Sequence, residues 1–154
     1  MEEAYVSPRS ASIEDPLRIA VLISGGGSGL AALLRYQEAE ARTHQTVLVL
    51  ADSEDAGGLE HGRSRGIETH GTPLPAIEDR VQRRLAHEEL VHTALVNAEV
   101  ELVVLSGYMR ILTPSFVKRW KGRLVNIHPS LLPKYPGAHA HRDALADGAT
   151  VSGC

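Results

Sequence analysis

Cysteine is almost absent from this chain: Cys154 is the only one among 154 residues. A disulfide framework is therefore excluded, and with no signal-peptide pattern at the start the composition points to a reducing cytoplasm. Long apolar runs are missing too. None approaches the ~20 residues needed to cross a bilayer as a helix. There is no excess of positive charge either. The formal net charge is -3, which gives no electrostatic case for nucleic acid or an anionic membrane, so any anion site must be local. Repeats, low-complexity tracts and domain linkers are likewise lacking. What remains is an ordinary globular mixture, 43% hydrophobic and 23% charged, of a length that suits one compact domain with a real core.

The order of patterns along the chain is more telling. Residues 1–17 are polar and aperiodic and read as a flexible leader, so the domain is taken as 18–154. Residues 18–24 (RIAVLIS) form a continuous apolar run, the mark of a strand buried on both faces. A glycine turn follows at 25–29, then a helix from Ser28 to about Glu40 with Leu30, Leu33 and Leu34 on one face. Further strands are expected at 46–50, 67–70, 101–106 and 124–127, with helices at 57–66, 77–98, 114–120 and 143–146. Thr113 is placed to cap the helix that opens with Pro114. Residues 150–154 look like the start of one more strand. Strands alternating with helices imply a doubly wound, mostly parallel sheet, in which ligands sit beyond the carboxyl ends of the strands.

Chemistry-bearing residues collect at those ends. The turn after the first strand would expose backbone N–H groups and the positive end of a helix dipole, enough to hold a phosphate. Leu30 stands where a dinucleotide fingerprint needs glycine, and no Gly-Lys-Ser/Thr occurs, so a monophosphate fits better than a nucleotide. Asp52, at the end of the second strand, gives weak support to a dinucleotide-binding oxidoreductase. Asn126 and His128 are two residues apart at the end of the fifth strand, where alternation puts both on one face. An amide that donates to a developing oxyanion, beside an imidazole that carries a proton near neutrality, is equipment for acyl transfer. His128, His139 and His141 also raise a metal reading, but no carboxylate or cysteine is placed to complete a ligand set. Arg84 and Glu88 are spaced as an i,i+4 pair on a solvated helix face.

Three segments carry a resemblance: VLISGGGSGL (residues 21–30), SGYMRILTPSFV (106–117) and NIHPSLLPKYPG (126–137). Together they resemble the folate-dependent glycinamide ribonucleotide formyltransferases, and NIHPSLLPKYPG is the most specific of the three. The resemblance implies a Rossmann-like formyltransferase fold. It also implies transfer of formyl from 10-formyltetrahydrofolate, a co-substrate, to the amine of phosphoribosyl glycinamide in purine biosynthesis, with no metal, by a monomer or homodimer. By resemblance Gly27, Ser28, Gly29 and Leu30 hold the substrate phosphate. Met109, Arg110, Ile111 and Leu112 line the folate pocket, with an arginine of the Arg83–Arg84 pair, Arg83 preferred. Asn126 contacts the formyl group and His128 is the catalytic acid. Gly29 stands where the family usually has asparagine. The family also has an essential aspartate on a loop that would begin after Cys154, so the C-terminal part is expected to be missing and this chain impaired by itself. The alternatives are formyltetrahydrofolate hydrolase and a non-catalytic folate- and phosphate-binding remnant.

Overall fold

In the computed structural model, which describes residues 5–154, five parallel strands form one sheet. The elements are β1 (Leu17–Ile23), α1 (Ser28–Ala39), β2 (His44–Ala51), α2 (Leu59–Arg63), β3 (Glu68–Gly71), α3 (Arg80–Asn97), β4 (Leu102–Ser106), α4 (Pro114–Arg119), β5 (Leu124–Ile127) and α5 (Ala140–Ala146). The strand order is β3-β2-β1-β4-β5. The chain winds outward from β1 in one direction, then returns to lay β4 on its other side. β1 and β4 therefore flank the point where the winding reverses, and a crevice opens beyond their carboxyl ends.

The apolar runs of β1 and β2 are buried because helices cover both faces. Ala20, Leu22, Leu48, Leu50, Val103 and Leu105 pack toward α3 and α4, against Val91, Leu95, Phe116 and Trp120. Ile19, Val21, Ile23, Val49 and Val104 pack the other way, against Leu30, Leu34 and Leu59 of α1 and α2. Each such large aliphatic side chain contributes about 1.5–3 kcal/mol on burial. The edge strands differ. β3 is short and polar, whereas β5 leaves Val125 and Ile127 exposed, beside an apolar groove shared with Leu30 and Leu33 of α1.

Local signals explain most element ends. Thr113 caps α4, accepting from the Phe116 N–H, with Pro114 at the first helical position. α2 closes at Gly66, whose φ of 68° suits glycine, with Gly66 N–H bonded to Arg63 O and Ile67 N–H to Gly62 O. α3 starts at Arg80, later than the apolar period alone implied, because the Asp79 side chain accepts from Gln82 N–H and sets the cap there. α5 starts at Ala140, three residues before the expected start.

Two expectations are corrected. Residues 150–154 form no strand: they pair with no ladder and lie exposed, with Gly153 close to Leu131. Arg84 and Glu88 do not form a solvated pair. Glu88 belongs to the inner stripe of α3, buried beside His87 and Val91, and turns to Thr113 instead. The leader reading falls partly on residues 1–4, which lie outside the described residues. Over residues 5–16 the chain rests on the body, with Val6 N–H bonded to Lys121 O and Arg9 bonded through Nε and NH2 to the Glu101 carboxylate. The hydrogen bonds from Arg9 hold the Glu101 carboxyl below its usual range, against desolvation, which raises it.

Candidate functional site

The glycine turn leaves β1 at Ser24 and enters α1 through Gly27, which has φ 69° and ψ 39°. Only glycine adopts this left-handed conformation without strain. Among the described residues no side chain caps α1, which leaves its first-turn N–H groups without a side-chain acceptor. The turn is held on both flanks. Gly58 N–H donates to Gly25 O, and His61 Nε2 lies 3.2 Å from Gly26 O. On the other side Ser24 N–H donates to Gly107 O, and Met109 N–H donates to Ser24 Oγ at 2.8 Å. Between these clamps is a cavity of about 340 Å³ lined by residues 24–29 with Ser106, Gly107 and Met109. An anion placed here meets backbone donors and the helix dipole.

The loop after β4 crosses the rim of the sheet. Met109 lines the cavity beside α1, whereas Tyr108 and Leu112 pack against the core on the α3 face. Gly107, at φ 68°, makes the turn between them. The loop is tied to α3 from below. Arg84 NH2 donates to Ile111 O at 2.6 Å. The Glu88 carboxylate accepts from Thr113 N–H at 2.8 Å and also from Thr113 Oγ1. These ties leave the side chains of Met109 and Ile111 free, 68% and 85% exposed. Of the arginine pair it is thus Arg84 that meets the loop, while Arg83 NH1 donates to Ile77 O.

Asp52 is committed elsewhere than to a ribose. Its carboxylate, 11% exposed, accepts from Arg110 Nε at 2.8 Å across the carboxyl ends of β2 and β1. A carboxylate paired this way gives no support to the oxidoreductase reading. Beneath the pair, burial pushes the Tyr108 phenol well above its ordinary pKa, with Asp52 adding to the effect and Arg110 opposing it.

Asn126 and His128 do not line the 340 Å³ cavity. They stand one strand further on, roughly 4.8 Å across the sheet. The register pairs Leu105 with Asn126 and Ser106 with Ile127. Asn126 therefore lies on the α3 face with Leu105, and Ser106 on the α1 face. Asn126 is exposed, and its amide has no hydrogen-bond partner among the described residues. His128, half-buried one residue past β5, has Nε2 2.9 Å from Tyr135 O. A carbonyl only accepts, so Nε2 carries the proton and donates, and Nδ1 is the uncommitted nitrogen. The loop it steadies is stiffened by Ser130 Oγ donating to Lys134 O and by Tyr135 OH donating to Asp147, both at 2.6 Å. The bond to Asp147 also raises the Tyr135 phenol pKa.

The crevice thus has two halves joined by one loop: an anion-binding turn on the α1 side, and an exposed apolar wall with a free amide on the α3 side. Among the described residues no three His, Cys, Asp or Glu side chains converge as a metal set, and no helix is long and apolar enough to cross a membrane. Ser24, Ser106 and Arg110 lie within the motif segments, but the anchoring role of Ser24, the place of Ser106 on the cavity lining, the tie from Glu88 to the loop and the pairing of Asp52 with Arg110 were not read from the sequence.

Comparison with known proteins agrees with this layout. A family model described as formyl transferase matches residues 17–154. The chain is 45% identical over 132 residues to phosphoribosylglycinamide formyltransferase of Escherichia coli, which covers 86% of this chain and 60% of that one. It is 37% identical over 137 residues to the trifunctional purine biosynthetic protein adenosine-3 of Homo sapiens, covering 89% of this chain and 13% of the human one. The crystal structure of phosphoribosylglycinamide formyltransferase from Brucella melitensis aligns with a TM-score of 0.83 at 37% identity, covering 91% of this chain and 71% of that one. The chain therefore spans three fifths of the Escherichia coli relative's length and a much smaller part of the trifunctional proteins.

Proposed function

The chain belongs to the formyl transferase family, and from that premise we propose that it transfers formyl from 10-formyltetrahydrofolate to the amine of phosphoribosyl glycinamide. The observation that carries this reading is the two-part crevice. A phosphate turn and an apolar wall meet at one rim, with an uncommitted amide and an imidazole beside them.

In this reading the first-turn amides of α1, at Ser28, Gly29 and Leu30 beyond Gly27, take the phosphate. Met109, Arg110, Ile111 and Leu112 form one wall for the folate, with Arg84 beneath them. The substrate amine attacks the formyl carbon and a C–N bond forms. The carbonyl electrons move to oxygen, where the Asn126 N–H₂ donates. Such a donor is worth roughly 10²–10³ in rate. Collapse re-forms the carbonyl and breaks the bond to the folate nitrogen, which takes a proton from protonated His128 through Nδ1. The attacking amine loses its proton to water. The Nε2 tie to Tyr135 O fixes the ring orientation in both protonation states.

The test is consumption of 10-formyltetrahydrofolate with and without phosphoribosyl glycinamide. Formyl product only with the amine supports the proposal. Folate release without it makes the chain a hydrolase, and ligand binding with neither reaction makes it a binding module.

A further inference from the structure

We infer that Ser106 is a substrate-binding residue whose hydroxyl donates to the phosphoryl group in the glycine turn, an assignment that rests on the function proposed above. Ser106 ends β4, half-buried, and turns toward α1. It lines the cavity together with residues 24–29. Its Oγ has no hydrogen-bond partner among the described residues. Of the other serines, Ser130 Oγ donates to Lys134 O, and the Ser24 oxygen is held in place by accepting from Met109 N–H.

The contact that matters is with Gly29. A Cβ placed at position 29 would overlap the Ser106 hydroxyl oxygen. Gly29 therefore carries no side chain where Ser106 needs the space, and the hydroxyl stands against the first turn of α1. None of the lining residues brings a basic side chain, and apart from serine hydroxyls the donors there are backbone N–H groups. Ser28 also carries a hydroxyl on that lining, but at the exposed helix start. Ser106 adds a donor from beneath, fixed by the strand rather than by the turn. It fixes direction without adding charge, which suits a phosphate monoester that must be held and then released with its product.

The test is calorimetric binding of ribose 5-phosphate to the full chain, with 10-formyltetrahydrofolate binding as control. Ser106→Ala is expected to weaken ribose 5-phosphate about tenfold, or ~1.4 kcal/mol, and to leave folate binding unchanged. Gly29→Ala is expected to do the same, because its methyl displaces the hydroxyl. Gly29→Ala/Ser106→Ala should be no weaker than either single variant, since both remove one contact. Ser106→Cys, similar in size with a poor donor, should match alanine and carries the test if the alanine variant folds badly. Equal ribose 5-phosphate affinity in wild type and Ser106→Ala, or losses that multiply in the double variant, would overturn the assignment while leaving the proposed function intact. A wild-type chain that binds folate but not ribose 5-phosphate would overturn the phosphate turn itself, and Ser106 with it.

Discussion

Truncating Glu88 to alanine releases the loop that forms the apolar wall. The carboxylate is 8% exposed on the inner face of α3 and accepts two bonds from Thr113, the residue that follows the 109–112 segment and caps α4. Hydrogen bonds to a charged group contribute about 1.5–3 kcal/mol each, and burial of a carboxylate without a cation offsets part of that. Removing it leaves the half-buried Thr113 N–H without an acceptor. A net loss of about 2–3 kcal/mol is expected. Thr113→Ala removes one of the two bonds and the α4 cap, at ~1–2 kcal/mol. Because the bond between the two side chains is counted in both, the double variant should fall short of the sum by about 1 kcal/mol. In urea, with a slope of roughly 2 kcal/mol/M, Glu88→Ala should lower the midpoint by about 1–1.5 M. The same variant should raise the KM for folate and leave that for the phosphoribosyl substrate nearly unchanged, because the glycine turn is tied separately through Ser24. A midpoint shift under about 0.3 M, or strict additivity with Thr113→Ala, would refute the account of how this loop is anchored.

Three further outcomes follow from the site and its surroundings. His128→Asn should lower the rate of formyl transfer roughly 10²–10⁴-fold, measured in single turnover, while folate affinity measured by titration stays within a few-fold of wild type. Asp52→Asn should cost no more than about 1 kcal/mol in unfolding experiments, because Arg110 is 42% exposed and solvent screens the pair, yet it should raise the folate KM by loosening the loop. His92 lies below its ordinary pKa, first through burial and then through Arg119 and Arg123, with Glu89 opposing. The folded state therefore binds fewer protons there than the unfolded one. The stability this gives is present above the ordinary value near 6.5 and is lost as pH falls through the folded pKa. Because His92 Nδ1 accepts from Trp120 Nε1–H at 3.2 Å, the emission of the single tryptophan should change over the same acidic window. A wild-type profile that matches His92→Phe would refute the coupling.

Much of the architecture was legible because both of its signals are local. Buried parallel strands read as unbroken apolar runs, so β1 and β4 fall within a residue of where the sequence puts them. The α4 start was readable from Thr113-Pro114 because capping chemistry lies within four residues. What could not be read depends on partners distant in sequence. Glu88 has the spacing of an i,i+4 partner for Arg84, but each prefers a group 25 or 27 residues downstream. The choice between Arg83 and Arg84 rests on about 100° of helix rotation, less than the resolution of a hydrophobic stripe. Asp52 stands where a ribose carboxylate would, and only its approach to Arg110 shows that it is spoken for. Residues 150–154 have strand-like composition, but strand propensity becomes a strand only where an edge accepts it.

The strand order explains why the proposed chemistry falls to β5. The crevice lies between β1 and β4, so polar groups reach it from the glycine turn, from the loop after β4, or from the strand ends next to them, β2 and β5. On the β2 side Asp52 is neutralised by Arg110. Within the loop after β4 the backbone is occupied by Ser24, Arg84 and Glu88. On the β5 side the Asn126 amide and His128 Nδ1 have no partner among the described residues, although the ring itself is held in place by Tyr135. β4 divides its last two side chains between the faces, Leu105 to the core on which Tyr108 and Leu112 pack and Ser106 to the glycine turn. In the proposed reaction a formyl donor on one face and a phosphoribosyl acceptor on the other would meet over this rim. On the β5 side of that rim the free hydrogen-bonding capacity is one amide and one imidazole nitrogen, the minimum that carbonyl attack and proton delivery require.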